Sequence, residues 1–199
     1  MRYLSFDIEA TGLEKHDLII EFGMVPFDTD KKELELNLKK HFFIKCPSFE
    51  ELKPQLNPWV IEHNEQLIIQ AHQEGITIEN FKQELNNYFS SPEVKNYFGN
   101  KPIILFGKSL NAIDLPFLHR DLGEDFMRRY FSHRVNDLSS FAYNLIDLKV
   151  LPPEAESGSW LAQHLGIGEV AHTALEDAIN TVKMYFLLLD RVQSLTKKV

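Results

Sequence analysis

The sequence predicts an α/β fold in which a mixed β-sheet carries helices on its faces. Three observations predict it. Over Tyr3–Glu9 and again over Leu34–Ile44, apolar and polar residues alternate, the period-2 pattern of half-buried strands. Ile103-Ile104-Leu105-Phe106 is short and wholly apolar, as in a strand covered on both faces. Elsewhere apolar residues recur at spacings near 3.6, the period of an amphipathic helix. Strands first and a mixture afterwards give one mixed sheet flanked by helices.

The elements follow in order. Leu4, Phe6 and Ile8 alternate with Tyr3, Ser5 and Asp7 in a strand over Tyr3–Glu9, punctuated by Thr11-Gly12. Leu18–Phe27 is a second strand, closed by the polar turn Asp28-Thr29-Asp30-Lys31-Lys32, and Leu34–Ile44 is a third. Joined by short turns, these first three strands are expected to be antiparallel. Asn57-Pro58-Trp59 opens a helix, with a cap residue followed by proline at the first helical position. Thr77 caps the next, whose apolar residues are Ile78, Phe81, Leu85 and Phe89, and Ser90-Ser91-Pro92 ends it. After the strand at Ile103–Phe106 come helices over Leu115–Leu122 and Asp137–Leu148, a loop from Pro152-Pro153 to Ser159, and a short helix over Trp160–Leu165 stopped by Gly166. The last helix runs from Thr173 to about Leu195, with Lys197-Lys198 as its frayed end. No internal repeat or linker divides the chain, so residues 1–199 read as one domain.

Composition narrows the class. Hydrophobic residues make up 44% and charged residues 25% of the 199 positions, the ordinary globular mix. A chain of this length buries about 70% of its unfolded surface and needs no disulfide or metal to fold. No apolar run approaches the roughly 20 residues of a membrane span. Arg2 and Asp7 break the first apolar stretch, unlike a signal peptide. Cys46 is the only cysteine, which excludes an intrachain disulfide and points to a reducing, cytoplasmic compartment. A net charge of −8 argues against a broad surface for duplex phosphates. It leaves room for a nucleic-acid enzyme with a small footprint, because carboxylates that hold divalent cations present positive charge once loaded.

Four segments carry groups with chemical potential. In Phe6-Asp7-Ile8-Glu9-Ala10-Thr11-Gly12-Leu13, Asp7 and Glu9 are two apart on a strand and point to one face. Such neighbours need a cation between them or solvent at a sheet edge. Asp114 follows the apolar strand by one loop, and alone it reads as a helix N-cap. In Ala171-His172-Thr173-Ala174-Leu175-Glu176-Asp177-Ala178, Thr173 and Glu176 have the capping-box spacing. His172 and Asp177 then occupy the two staple positions, where side chains meet, either as a working imidazole–carboxylate pair or as a plain surface pair. Trp59 and His63 are one helical turn apart, a pattern shared by core-plus-surface pairs and by base-stacking platforms.

Taken together, these motifs resemble the DEDDh (DnaQ-like) 3′→5′ exonuclease family: Asp-x-Glu-x-Thr-Gly on the first strand, Asp-x-x-Phe-Leu after a buried strand, and His-x-x-x-x-Asp opening the last helix. The resemblance runs from Asp7 to Asp177. Asn111 lies three residues before Asp114, where the family places an asparagine four before. The segment from Gly107-Lys108-Ser109 to Asp114-Leu115-Pro116-Phe117-Leu118 is also similar to the Gly-x-Ser-x-…-Asp-x-x-Phe-Leu of oligoribonucleases, and Trp59 and His63 are loosely similar to a Trp and His of that subgroup. The resemblance implies a ribonuclease H-like fold and a single-stranded nucleic acid substrate cut at its 3′ end into nucleoside 5′-monophosphates. It implies two Mg²⁺ or Mn²⁺ held by Asp7, Glu9, Asp114 and Asp177, with His172 as general base. It implies that Thr11, Gly12 and Leu13, with Asn111, receive the terminal nucleotide. A second copy of the chain or a polymerase is the kind of protein partner it suggests. Two other readings stay open on sequence alone. Asp7-Ile8-Glu9-Ala10-Thr11 is similar to the Asp-x-Asp-x-Thr of haloacid-dehalogenase-type phosphatases, and a non-catalytic nucleic-acid-binding or adaptor domain fits the same fold.

Overall fold

The computed structural model describes residues 1–168 and 173–196. His172 and Lys197-Lys198 lie outside the described residues. Strands β1 (Arg2–Ala10) and β2 (Ile19–Asp28) pair antiparallel, with Asp7 opposite Gly23 and Glu9 opposite Glu21. Two short strands, β3 (Glu33–Leu34) and β4 (Lys40–Phe43), share the far edge of β2. The third strand expected over Leu34–Ile44 is therefore divided, by a 3₁₀ turn at Leu36–Leu38. Its gap falls beside Pro26, which accepts from the Glu35 N–H at 2.8 Å but has no N–H to continue the ladder.

Strand β5 (Ile103–Gly107) runs parallel to β1, and β6 (Phe131–Asp137) runs parallel to β5. Among the described residues this makes a six-stranded sheet of order β3-β2-β1-β5-β6, with β4 also on β2. Strand β6 escapes the sequence pattern because an edge strand buries little: Ser132-His133-Arg134 leaves polar groups at the solvent side.

Ten helices are described: α1 (Phe49–Leu52), α2 (Pro58–His63), α3 (Glu65–Glu74), α4 (Ile78–Ser90), α5 (Pro92–Phe98), α6 (Asp114–Leu122), α7 (Glu124–Tyr130), α8 (Leu138–Asp147), α9 (Gly158–His164) and α10 (Ala174–Thr196). The caps at Asn57 and Thr77 form as expected, accepting from the N–H groups of Trp59 and Asn80. Pro92 ends α4, but Ser91 then accepts from the Val94 N–H and starts α5. Proline suits the first helical position, so one Ser-Pro step both stops a helix and starts another.

The two faces of the sheet bury separate cores. Leu4, Phe6, Ile8, Phe22 and Met24 pack against Phe81, Leu85, Leu118 and Phe126 on one side. Tyr3, Phe27 and Phe106 pack against Leu138, Leu161, Val182, Tyr185 and Leu188 on the other, under α8, α9 and α10. A third cluster around Ile20 and Ile68 seats α1, α2 and α3. Among the described residues no helix is long and apolar enough to cross a membrane.

Candidate active site

Alternation along β1 sends Leu4, Phe6 and Ile8 into one core and leaves Ser5, Asp7 and Glu9 on the face that α10 covers. Two contacts fix how α10 lies there. A Cβ on Gly23, opposite Asp7, would stand 2.1 Å from the backbone nitrogen of Leu175, so only glycine lets the first turn of α10 touch the sheet. Ser5, buried, donates from Oγ to the Ala178 carbonyl at 2.8 Å. Asp177 lies in sequence between these two anchors and is held over β1. Its oxygen and those of Asp7 and Glu9 come within 4.8 Å of one another.

Asp114 arrives from the neighbouring strand. The ladder between β1 and β5 ends at Ser5 and Phe106, which frees the Ile8 N–H. The carboxylate of Asp114, 3% exposed, accepts that N–H through Oδ1 at 3.2 Å. The N-cap reading of Asp114 is thereby corrected: Ile113 holds the cap position, and Asp114 is the first residue of α6. Its side chain thereby satisfies a buried strand N–H that the ladder leaves unpaired. The capping box at Thr173 is half formed. Thr173 Oγ1 accepts from the Glu176 N–H at 3.4 Å, and the Glu176 carboxylate accepts from the Thr173 hydroxyl at 3.3 Å.

Electrostatics follow from this crowding. Burial, then Asp114, Asp177 and Glu9, hold the Asp7 carboxyl well above the usual carboxylate range. Burial, then Asp177, Glu21 and Asp114, push Glu9 up to about 8. Burial pushes Asp114 up to about 7, with the Ile8 N–H pulling the other way. Lys108 is the cation that opposes the rise at all three. A cluster of oxygen donors that resists its own ionisation is matched to a hard divalent cation, which takes such ligands and cancels their repulsion.

These groups line a cavity of about 910 Å³ at the carboxyl ends of the parallel strands β1 and β5, together with Gly12, Leu13, Trp59 and Lys108. Open α/β sheets place ligands at such ends. Thr11 is buried and structural. Its N–H bonds to the Leu18 carbonyl, and its hydroxyl bridges the Asp17 carboxylate at 3.1 Å and the Leu18 N–H at 2.9 Å. Gly12 sits so close to Asp17 that a Cβ would come 2.3 Å from Oδ2. Leu13, 74% exposed, stands at the rim of the cavity. Asn111 is exposed in the turn before α6 and is not part of the lining.

Two residues beside this site, Glu21 and Gly23, are not singled out by the sequence motifs. Glu21 is fully buried, is held by His41, and has Oε2 without a partner among the described residues. A carboxylate inside Ile19-Ile20-Glu21-Phe22 and a glycine inside a strand were the available signals. Trp59 belongs to the cleft: it is 56% exposed and stacks on His63 with ring centroids 4.4 Å apart.

Known proteins place this geometry. The cell-death related nuclease 4 (CRN-4) shares the fold with a TM-score of 0.68 at 14% identity, over 95% of this chain and 64% of that one. E. coli Exonuclease I in complex with a dT13 oligonucleotide gives 0.65 at 17% identity, over 99% of this chain and 42% of that one. A 3′-exonuclease described for 3′-end specific recognition of a histone mRNA stem-loop gives 0.62 at 14% identity, over 95% and 81%. The chain thus spans less than two thirds of the first two of these proteins. No curated protein matches the sequence. A family model described as an exonuclease, RNase_T, matches residues 4–185, from β1 into α10 and across every strand and carboxylate of the cleft, and the chain belongs to that exonuclease family.

Proposed function

We propose that the protein is a metal-dependent 3′→5′ exonuclease that removes nucleoside 5′-monophosphates from the 3′ end of single-stranded DNA, RNA or short oligonucleotides. The observation that carries this reading is the convergence of Asp7, Glu9 and Asp177 within 4.8 Å, at the mouth of two parallel strands and beside buried Asp114. Asp7, Glu9 and Asp177 would hold Mg²⁺ or Mn²⁺, with Asp7 shared between two ions and Asp114 supporting the second. Divalent cations held there supply positive charge for the attacking and leaving oxygens of a phosphodiester.

The chain's own residues do the rest. Asp114 keeps Oδ1 on the Ile8 N–H, so Oδ2 is the oxygen left for the site. His172, by its place in the family motif, takes the proton from the attacking water, a task suited to an imidazole titrating near neutrality. The Gly12–Leu13 turn offers backbone and an exposed apolar side chain to the last nucleotide. Its shape is locked from behind by Thr11 and Asp17. Trp59 presents an open ring to a base, a contact worth about 1–3 kcal/mol that tolerates any sequence.

Degradation of labelled single-stranded DNA, single-stranded RNA, duplex DNA and a dinucleotide, each with and without Mn²⁺, tests the reading. Metal-dependent release of 5′-monophosphates from a free 3′ hydroxyl is expected, with resistance at a 3′-phosphate. Internal fragments as first products from a circular strand would refute it.

A further inference from the structure

Resting on the exonuclease reading, we propose that Lys108 is a phosphate-contacting residue of this site, reaching the phosphate that follows the scissile one toward the 5′ side. Lys108 ends the loop side of β5 and lines the same cavity as Asp7, Glu9, Asp114 and Asp177. Its ammonium lies close enough to act on three of those carboxylates, yet it forms no ion pair or hydrogen bond with any described residue. Among the described residues its three donors are unspent. It stands beside the carboxylate cluster without pairing to any described member of it.

The Lys108 side chain passes close to Gly158, the first residue of α9. A Cβ there would stand 2.9 Å from Lys108 Nζ and 3.2 Å from its Cδ, so the side chain lies against the backbone of this glycine. Lys108 is exposed and stands at the edge of the cleft, between its lining and the start of α9. Charge accounting gives its ammonium a purpose. Cations bound to the carboxylates cancel those charges, and an incoming strand still brings one negative charge per phosphate. In a protein of net charge −8, a cation inside the cleft is what keeps the second phosphate from being repelled. As a compact point charge on a flexible stem, lysine suits a backbone contact that carries no base information.

The test compares wild type, Lys108→Gln and Lys108→Arg. One arm measures kcat/KM in Mg²⁺ on a single strand and on the same strand carrying a neutral methylphosphonate at the phosphate next to the scissile one. Lys108→Gln should lose about 10- to 100-fold on the natural strand and little on the modified one, and Lys108→Arg should recover part of the loss. The second arm measures anisotropy of the labelled strand with Ca²⁺ over a salt series. There Lys108→Gln should flatten the log–log slope by about 0.7, the value for one contact on a single strand. Thermal unfolding of both variants should match wild type, since the side chain is exposed. Equal losses on both strands, or an unchanged salt slope, would overturn the proposal. A wild type that binds the strand with Ca²⁺ but hydrolyses none in Mg²⁺ or Mn²⁺ refutes the exonuclease reading instead, and the salt slope then decides on Lys108 alone.

Discussion

Raising the pH without divalent cations should destabilise this protein, and cations should reverse the loss. The site couples Glu9, whose carboxyl is pushed from 4.5 to about 8, to Asp114, pushed from 3.8 to about 7. A carboxyl whose folded value exceeds its unfolded value holds its proton longer when folded. Between about pH 4.5 and 8 the native state therefore binds more protons than the unfolded chain, and unfolding free energy falls as pH rises. At 1.36 kcal/mol per pH unit, Glu9 alone spans about 5 kcal/mol, and water entering the open cleft screens this to on the order of 2–3 kcal/mol. For a chain of this size that is a drop of about 5–10 °C in Tm. The assay is thermal unfolding by circular dichroism from pH 5 to 8.5 in EDTA, repeated with Mg²⁺ or Mn²⁺. Glu9→Gln, which cannot ionise, should flatten the EDTA curve. Cation present at about a hundred times its Kd should return about 2.7 kcal/mol at high pH. A Tm in EDTA that is flat or rising from pH 5.5 to 8.5, or a Glu9→Gln curve parallel to wild type, would refute the reasoning.

Three further outcomes are expected. Gly23→Ala places a methyl against the backbone of Leu175. It should cost roughly 1–3 kcal/mol in denaturant unfolding, and nuclease activity should fall about 10²-fold or more because Asp177 moves with the helix. Asp7→Ala should abolish hydrolysis and weaken metal binding measured by calorimetry, while the metal-free protein keeps or gains stability through relief of repulsion; activity above a tenth of wild type would remove Asp7 from its proposed role. His172→Ala should lower kcat roughly 10²–10⁴-fold with metal affinity unchanged. The wild-type pH–rate limb near the histidine value should vanish in that variant with both Mg²⁺ and Mn²⁺, and a limb that persists would exclude His172 as the base.

Much of the site is legible in the sequence because its parts are local. Period-2 alternation alone puts Asp7 and Glu9 on one face of β1. An apolar run identifies β5, and short-range hydrogen bonding explains the caps at Asn57 and Thr77. The acidic opening of α10 is equally local. What a strand or helix then meets is not local. Asp177 reaches Asp7 from 170 positions away because β2 places Gly23 where a helix can press on it. Asp114 is claimed by the Ile8 N–H only because the β1–β5 ladder stops short of it. The split of the third strand falls beside Pro26 on the neighbouring strand β2, which the third strand's own alternation could not foretell. Lys108 meets Gly158, fifty residues on, only in the folded chain. Periodicity and capping depend on neighbours within a turn or a pleat, so the sequence by itself determines them. Register, close approach and burial of charge depend on which backbones touch, and only the tertiary structure decides that.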